Sequence, residues 1–135
     1  MKQTCIVILL AFMLASCVDE NPAFEPTDPS YVFDINALPD VHLAISEDEW
    51  NKLLNYFDQN PYNEECVTAG MTFTKNGNTN EVSRVGIRLR GNTSRRRPEG
   101  KKGQPHQADA PDWHHARFSV DINRFVPGQP FAGLK

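Results

Sequence analysis

Between Arg84 and Arg90 the chain alternates, with apolar Val85, Ile87 and Leu89 interleaved with Arg84, Gly86, Arg88 and Arg90. An extended strand puts every second side chain on one face, so this stretch predicts a strand with an apolar face inward and guanidinium groups outward. The strand empties into the turn-forming run Gly91-Asn92-Thr93-Ser94 and then into a loop bearing Arg95, Arg96, Arg97, Lys101 and Lys102. Arginine grips phosphate or carboxylate through two parallel hydrogen bonds, and turn amides add further donors. Arg88, Arg90, Gly91, Asn92 and Ser94 are therefore candidate nucleotide- or anion-binding residues.

The charge distribution isolates this stretch. Residues 17–83 carry thirteen acids against two bases, residues 84–102 one acid (Glu99) against eight bases, and residues 103–135 three of each. An acidic first half excludes a generally nucleic-acid-binding protein. The basic stretch itself has two readings, an anion grip or a solvated loop that pairs with the acidic half.

The N-terminus reads as a processing signal. Lys2 supplies a positive charge, Ile6 to Ala15 are uninterrupted apolar residues, and Ser16-Cys17 follow. The apolar run is far shorter than the roughly 20 residues a spanning helix needs. Leu14-Ala15-Ser16-Cys17 resembles a bacterial lipoprotein signal, with residues 1–16 removed and Cys17 lipidated. The other reading is an ordinary signal peptide with an incidental cysteine. Residues 17–40, acidic and proline-bearing, read as a tether. Val18-Asp19-Glu20 behind the cysteine resembles the surface-export signal of lipoproteins in the Bacteroides group. The expected location is thus lipid-anchored to the outer membrane, with exposure at the cell surface. Cys5 falls in the signal and Cys17 carries lipid, which leaves Cys66 without an intramolecular disulfide partner. Cys66 reads as a small, buried, apolar residue, and no cysteine or histidine spacing suggests zinc.

From residue 41 onward the pattern is strand, helix, then several antiparallel strands. Val41 to Ile45 reads as a strand. Ser46 with Glu49 forms a capping box, and Trp50, Leu53, Leu54 and Phe57 make one apolar stripe of an amphipathic helix, read as core packing. Asn60-Pro61 ends that helix. A second strand covers Cys66 to Thr74. The hairpin signal Asn76-Gly77 follows, with a connection expected to run beyond two residues because Asn78-Thr79-Asn80 are also turn-like. A long loop from Gly91 to Asp112 precedes a strand over Ala116 to Ile122, with Phe118, Val120 and Ile122 on one face. Adjacent His114 and His115 point to opposite faces and cannot share a metal, so they read as an edge pair with one ring inward. His42 reads as solvent-facing. The expected fold class is α+β, a small, mostly antiparallel sheet with one packed amphipathic helix.

In that order the residues resemble the spore coat protein H (CotH) kinase family. The resemblance rests on the strand and capped helix around Ala44-Ile45-Ser46-Glu47-Asp48-Glu49-Trp50, and on Val85 to Ser94. It continues in the strand around Arg117-Phe118-Ser119-Val120 and the ending Phe131-Ala132-Gly133-Leu134-Lys135. It implies that residues 41–135 form most of the N-terminal lobe of an atypical, secreted, kinase-like protein. It also implies that the segment from Arg88 to Val120 lies near nucleotide phosphates, which adds Arg117 to the candidate residues. A full-length member would bind ATP and a divalent metal, whereas this fragment is expected to hold no cofactor by itself. Three departures accompany the resemblance. The strand after the loop offers His114, His115 and Arg117 where members carry lysine, and arginine is no equivalent for lysine. There is no Gly-x-Gly-x-x-Gly or Walker-type loop. The family's metal-binding and catalytic aspartates lie beyond Lys135.

The functional expectation is a fragment of a CotH-like protein kinase displayed as a surface lipoprotein, inactive alone, with no catalytic or metal-binding residue of its own. The alternative is a non-catalytic surface module that binds an anionic glycan or phosphorylated partner through its basic loop. Expected partners are the membrane, through the lipid anchor, and a protein substrate or anionic ligand.

Overall fold

The computed structural model describes residues 28–132. The signal segment, Cys17, the first part of the tether and Gly133-Leu134-Lys135 lie outside the described residues. A one-turn helix, α1 (Ser30–Phe33), precedes strand β1 (Asp40–Ala44), helix α2 (Glu47–Gln59) and strands β2 (Val67–Lys75), β3 (Asn78–Leu89) and β4 (Phe118–Asp121). The four strands form one antiparallel sheet in the order β1-β2-β3-β4, and α2 packs on the face of β2 and β3. This is a small α+β fold, as the hydrophobic pattern required.

The helix forms where its caps dictate. Ser46 stays extended and its Oγ accepts from the Glu49 amide, while Glu47, Asp48 and Glu49 crowd the positive end of the helix dipole. Asn60 closes it by donating its backbone N–H to the Tyr56 carbonyl. Leu53 and Leu54 are buried, and Trp50 and Phe57 pack on the core from its margin.

The β2–β3 hairpin turns in two residues. Asn76 (φ 53°) and Gly77 (φ 78°) both sit in the left-handed region that a twisted hairpin requires. The longer connection expected from Asn78-Thr79-Asn80 is not formed, because those residues pair with Lys75, Thr74 and Phe73 and start β3. The Thr74 and Thr79 hydroxyls, 3.1 Å apart, brace that pairing. A bulge lies further along, where Ala69 faces Val85 but Met71 faces Val82. The extra residue lets both Val82 and Val85 turn inward, although they are three apart. Val85, Ile87 and Leu89 are all buried, as their alternation demands, and Phe131 packs edge-on against Phe73 at 5.3 Å.

Residues 31–34, assigned by composition to the tether, contact the end of β2. Lys75 is buried and its Nζ donates to the carbonyls of Tyr31 and Asp34, both at 2.7 Å, while the Tyr31 hydroxyl donates back to the Lys75 carbonyl. The two histidines expected as an edge pair are both exposed, so neither ring is inward. The Nδ1 of His114 instead lies 3.0 Å from the Arg97 carbonyl. β4 is shorter than the alternation over Ala116 to Ile122, and it is an edge strand.

Candidate anion-binding site

The arginines of the basic stretch have two fates. Arg88, half-buried, is ion-paired with Glu64. Arg95 donates Nε to the Gly91 carbonyl, Nη1 to the Asn63 carbonyl at 2.8 Å, and Nη2 to Glu64 at 2.8 Å. The hydrogen bond from Arg95, aided by the charge of Arg88, holds the Glu64 carboxyl below its ordinary range. Arg97, with a side chain 7% exposed, forms a fork-to-fork pair with Asp58 and also donates to the backbone carbonyls of Glu99 and Gln104. Burial resists ionisation of Asp58, but hydrogen bonds from Arg97 and the Gly103 amide outweigh it and lower its carboxyl. These three arginines are internal ties between the loop, the helix and the strand face.

Arg90 and Arg117 differ. The Arg90 amide donates to the Arg117 carbonyl at 2.7 Å, extending the β3–β4 ladder past Leu89 and Phe118. Residues directly opposite in such a ladder have Cβ atoms about 5 Å apart, a spacing at which like charges repel. Both side chains are exposed, and neither guanidinium has a hydrogen-bond or ion-pair partner among the described residues. With Gly91 and Phe118 they line an open recess of about 450 Å³. Gly91 (φ 129°) sits in a backbone conformation that strains any other residue, and an added Cβ would also lie tight against Ser94 Oγ (3.1 Å) and the Arg95 amide nitrogen (3.2 Å).

The six candidate residues are therefore divided. Arg90, Gly91 and Arg117 come together at the recess, Arg88 is engaged by Glu64, and Asn92 and Ser94 stand exposed in the turn. An anion in the recess would meet two guanidiniums and relieve their mutual repulsion.

Sequence reasoning missed how the loop after Gly91 is held. Residues 98–100 and 112–114 form a short antiparallel pair, with Glu99 bridged to Trp113. The Glu99 side chain is buried, and its carboxylate accepts from Trp50 Nε1 (2.7 Å), His106 Nδ1 (2.8 Å) and the Gln107 amide (2.7 Å). Burial opposes its charge, but the bonds from His106, Trp50 and Gln107 prevail and its carboxyl is lowered. Two signals were available in the sequence. Asp58 continues the Trp50–Leu54 stripe by one more turn, and Glu99 is the one acid in an otherwise basic run. An acid at either position calls for buried donors.

Among the described residues no group of three or more histidine, cysteine or acidic side chains is arranged to hold a metal ion. No protein-family model, no curated protein and no solved structure matches this chain.

Proposed function

We propose that this chain is the phosphate-holding part of a CotH-like kinase lobe, exported on a lipid anchor, in which Arg90 and Arg117 grip the phosphate. The observation that carries this reading is a pair of exposed arginines that face each other in the β3–β4 register, line a common recess and have no charged partner among the described residues. A fold has no stability reason to set two arginines in that register, while an oxyanion gives one. Gly91 lines the recess beside them. Two exposed guanidiniums beside one recess suit phosphate oxygens, and among the described residues no set of three or more histidine, cysteine or acidic side chains is arranged for a divalent metal. Arg90 and Arg117 would bind and orient the phosphate oxygens and offset their charge.

The test is calorimetric titration of the full chain with magnesium-ATP and, separately, with pyrophosphate. Arg90→Ala and Arg117→Ala should each weaken binding at least about tenfold, the size of one lost charged hydrogen bond. Arg88→Ala should weaken it less, because Glu64 already shares that charge. Binding that persists unchanged in the Arg90→Ala/Arg117→Ala double variant would return both arginines to the role of solvated surface.

A second reading, a non-catalytic module for an anionic glycan or a phosphorylated partner, is favoured by the place of the recess on the edge strand. An edge leaves room for an extended polyanion. A sulfated polysaccharide that binds at least as tightly as pyrophosphate, while magnesium-ATP does not bind, would select this reading.

A further inference from the structure

A second recess adjoins the first. It has a volume of about 240 Å³ and is lined by Leu43, Ile45, Glu47, Trp50, His106 and Trp113. Trp50 lines this recess and Phe118 lines the arginine recess, and their ring centroids are 6.2 Å apart. The two recesses have opposite chemistry. No lysine or arginine lines the second one.

Three observations define what it would take. Trp113 packs on Trp50 (6.1 Å) and His106 (6.3 Å) yet remains 53% exposed, so much of a large indole is left uncovered by the described residues. Glu99, buried behind Trp50 and His106, has a carboxyl that burial raises but that hydrogen bonds from His106, Trp50 and the Gln107 amide bring below its ordinary range, and Arg97 donates to its backbone carbonyl rather than to the carboxylate. A carboxylate oxygen accepts, so the Nδ1 of His106 is the donor in that 2.8 Å contact. Glu47 adds an exposed carboxylate at the rim. The positive end of α2 lies here, but a helix end amounts to about half a charge, and Glu47, Asp48 and Glu49 all stand in its first turn. The recess therefore combines an indole face, the best cation–π surface among side chains, with the Glu47 carboxylate at its rim and the buried Glu99 side chain bonded behind Trp50 and His106.

We propose that this recess binds an alkylammonium group, with Trp113 as the platform, Glu47 as the rim counter-charge and Glu99 as the residue that holds Trp50 and His106 in place. The site is independent of the phosphate reading, since it shares no lining residue with the arginine recess.

The chain has two tryptophans, and both line this recess, so intrinsic fluorescence reports on it directly. The full chain is titrated with choline at constant ionic strength and, in parallel, with 3,3-dimethylbutan-1-ol, which has the same shape without the charge. Choline should change the fluorescence saturably, with a Kd on the order of millimolar, and the neutral alcohol should bind at least about fivefold more weakly. Glu47→Gln should weaken choline about threefold and leave the alcohol unchanged. Trp113→Ala should weaken choline about tenfold, read through Trp50. Should that variant lose its far-UV spectrum, Glu47→Gln carries the test, since Glu47 is exposed and its side chain makes no hydrogen bond or ion pair among the described residues. Arg90→Ala/Arg117→Ala should leave choline binding intact, which separates failure of this site from failure of the phosphate site. Equal affinity for choline and the alcohol, or no saturable response, would overturn the proposal.

Discussion

The same run of basic residues ends in two opposite situations. At Arg97 the guanidinium is buried, forked onto Asp58 and saturated by backbone carbonyls. At Arg90, seven positions earlier, it is exposed and opposed by another arginine. The difference does not come from the local sequence, which is equally basic at both places. It comes from what each segment passes over. The loop that carries Arg97 crosses α2, whose buried stripe continues into Asp58, whereas Arg90, just past β3, faces Arg117, just before the edge strand, and finds no counter-charge among the described residues. A charge that the fold consumes is a structural tie, and a charge that the fold leaves unpaired on a constrained backbone is available to a ligand.

Removing the internal tie should have the largest effect. Arg97→Ala strands a nearly buried Asp58 carboxylate and should cost about 3–5 kcal/mol in the free energy of unfolding by denaturant. Replacing both partners, as Arg97→Met with Asp58→Leu, should recover most of that loss, because two apolar groups of similar size leave no charge unpaired. A cost below about 1 kcal/mol for Arg97→Ala, the scale of an exposed pair, would erase the distinction between the two ends.

Glu99→Gln should come next, at about 1–3 kcal/mol. The amide keeps one acceptor but turns an NH2 toward a donor, since Trp50 and Gln107 approach opposite oxygens of the carboxylate. The change should also reach the fluorescence of Trp50, which an effect confined to a solvated loop would not touch.

Acid should act on the same ties. In the folded chain Asp58 and Glu99 lie below their ordinary values of 3.8 and 4.5. The unfolded chain therefore takes up these protons first. Their contribution is fully present above the ordinary values and is lost as pH falls through the lowered ones. Thermal midpoints measured from pH 7 down to pH 3 should fall below about pH 4.5, and less steeply in the Arg97→Met/Asp58→Leu variant. A midpoint that rises on acidification would contradict the assignment of both carboxylates as ionised and bonded.

How much of this was legible in advance follows the same division. Alternation at Val85, Ile87 and Leu89 and the stripe at Trp50, Leu53 and Leu54 foretold the sheet face and the helix, because burial of every second or every third-to-fourth residue is written locally. The hairpin's two-residue turn was obscured by Asn78 and Asn80, whose turn propensity is overridden once their backbones pair with Lys75 and Phe73. The arginine pair was half legible. Arg90 followed from the strand, but its facing partner depended on the register of β3 with β4, across a loop of more than twenty residues. Nothing local could say that Arg88, two residues before Arg90, would be taken by Glu64, because that acid comes from the connection between α2 and β2. The recess at Trp113 was not legible, since it is assembled by a carboxylate, an imidazole and two indoles drawn from separate segments.

The smallest expected effect tests the open end of the comparison most directly. Arg90→Ser should change the stability of the free protein by no more than about 0.5 kcal/mol, since it breaks no internal tie. The double-mutant cycle with Arg117→Ser at low salt should nonetheless report a repulsive coupling, on the order of 0.2–1 kcal/mol, because the two guanidiniums face each other across the ladder. Added salt should shrink that coupling as the Debye length falls from about 10 Å at 0.1 M toward 3 Å at 1 M. Saturating pyrophosphate should reverse its sign, since each arginine then supports the ligand that the other binds. Repulsion in the free state and attraction in the liganded state can come only from charges that the fold has held apart from any partner. A coupling of zero under both conditions would mean that the two side chains point away from each other, and that the unpaired end of the basic run is surface after all.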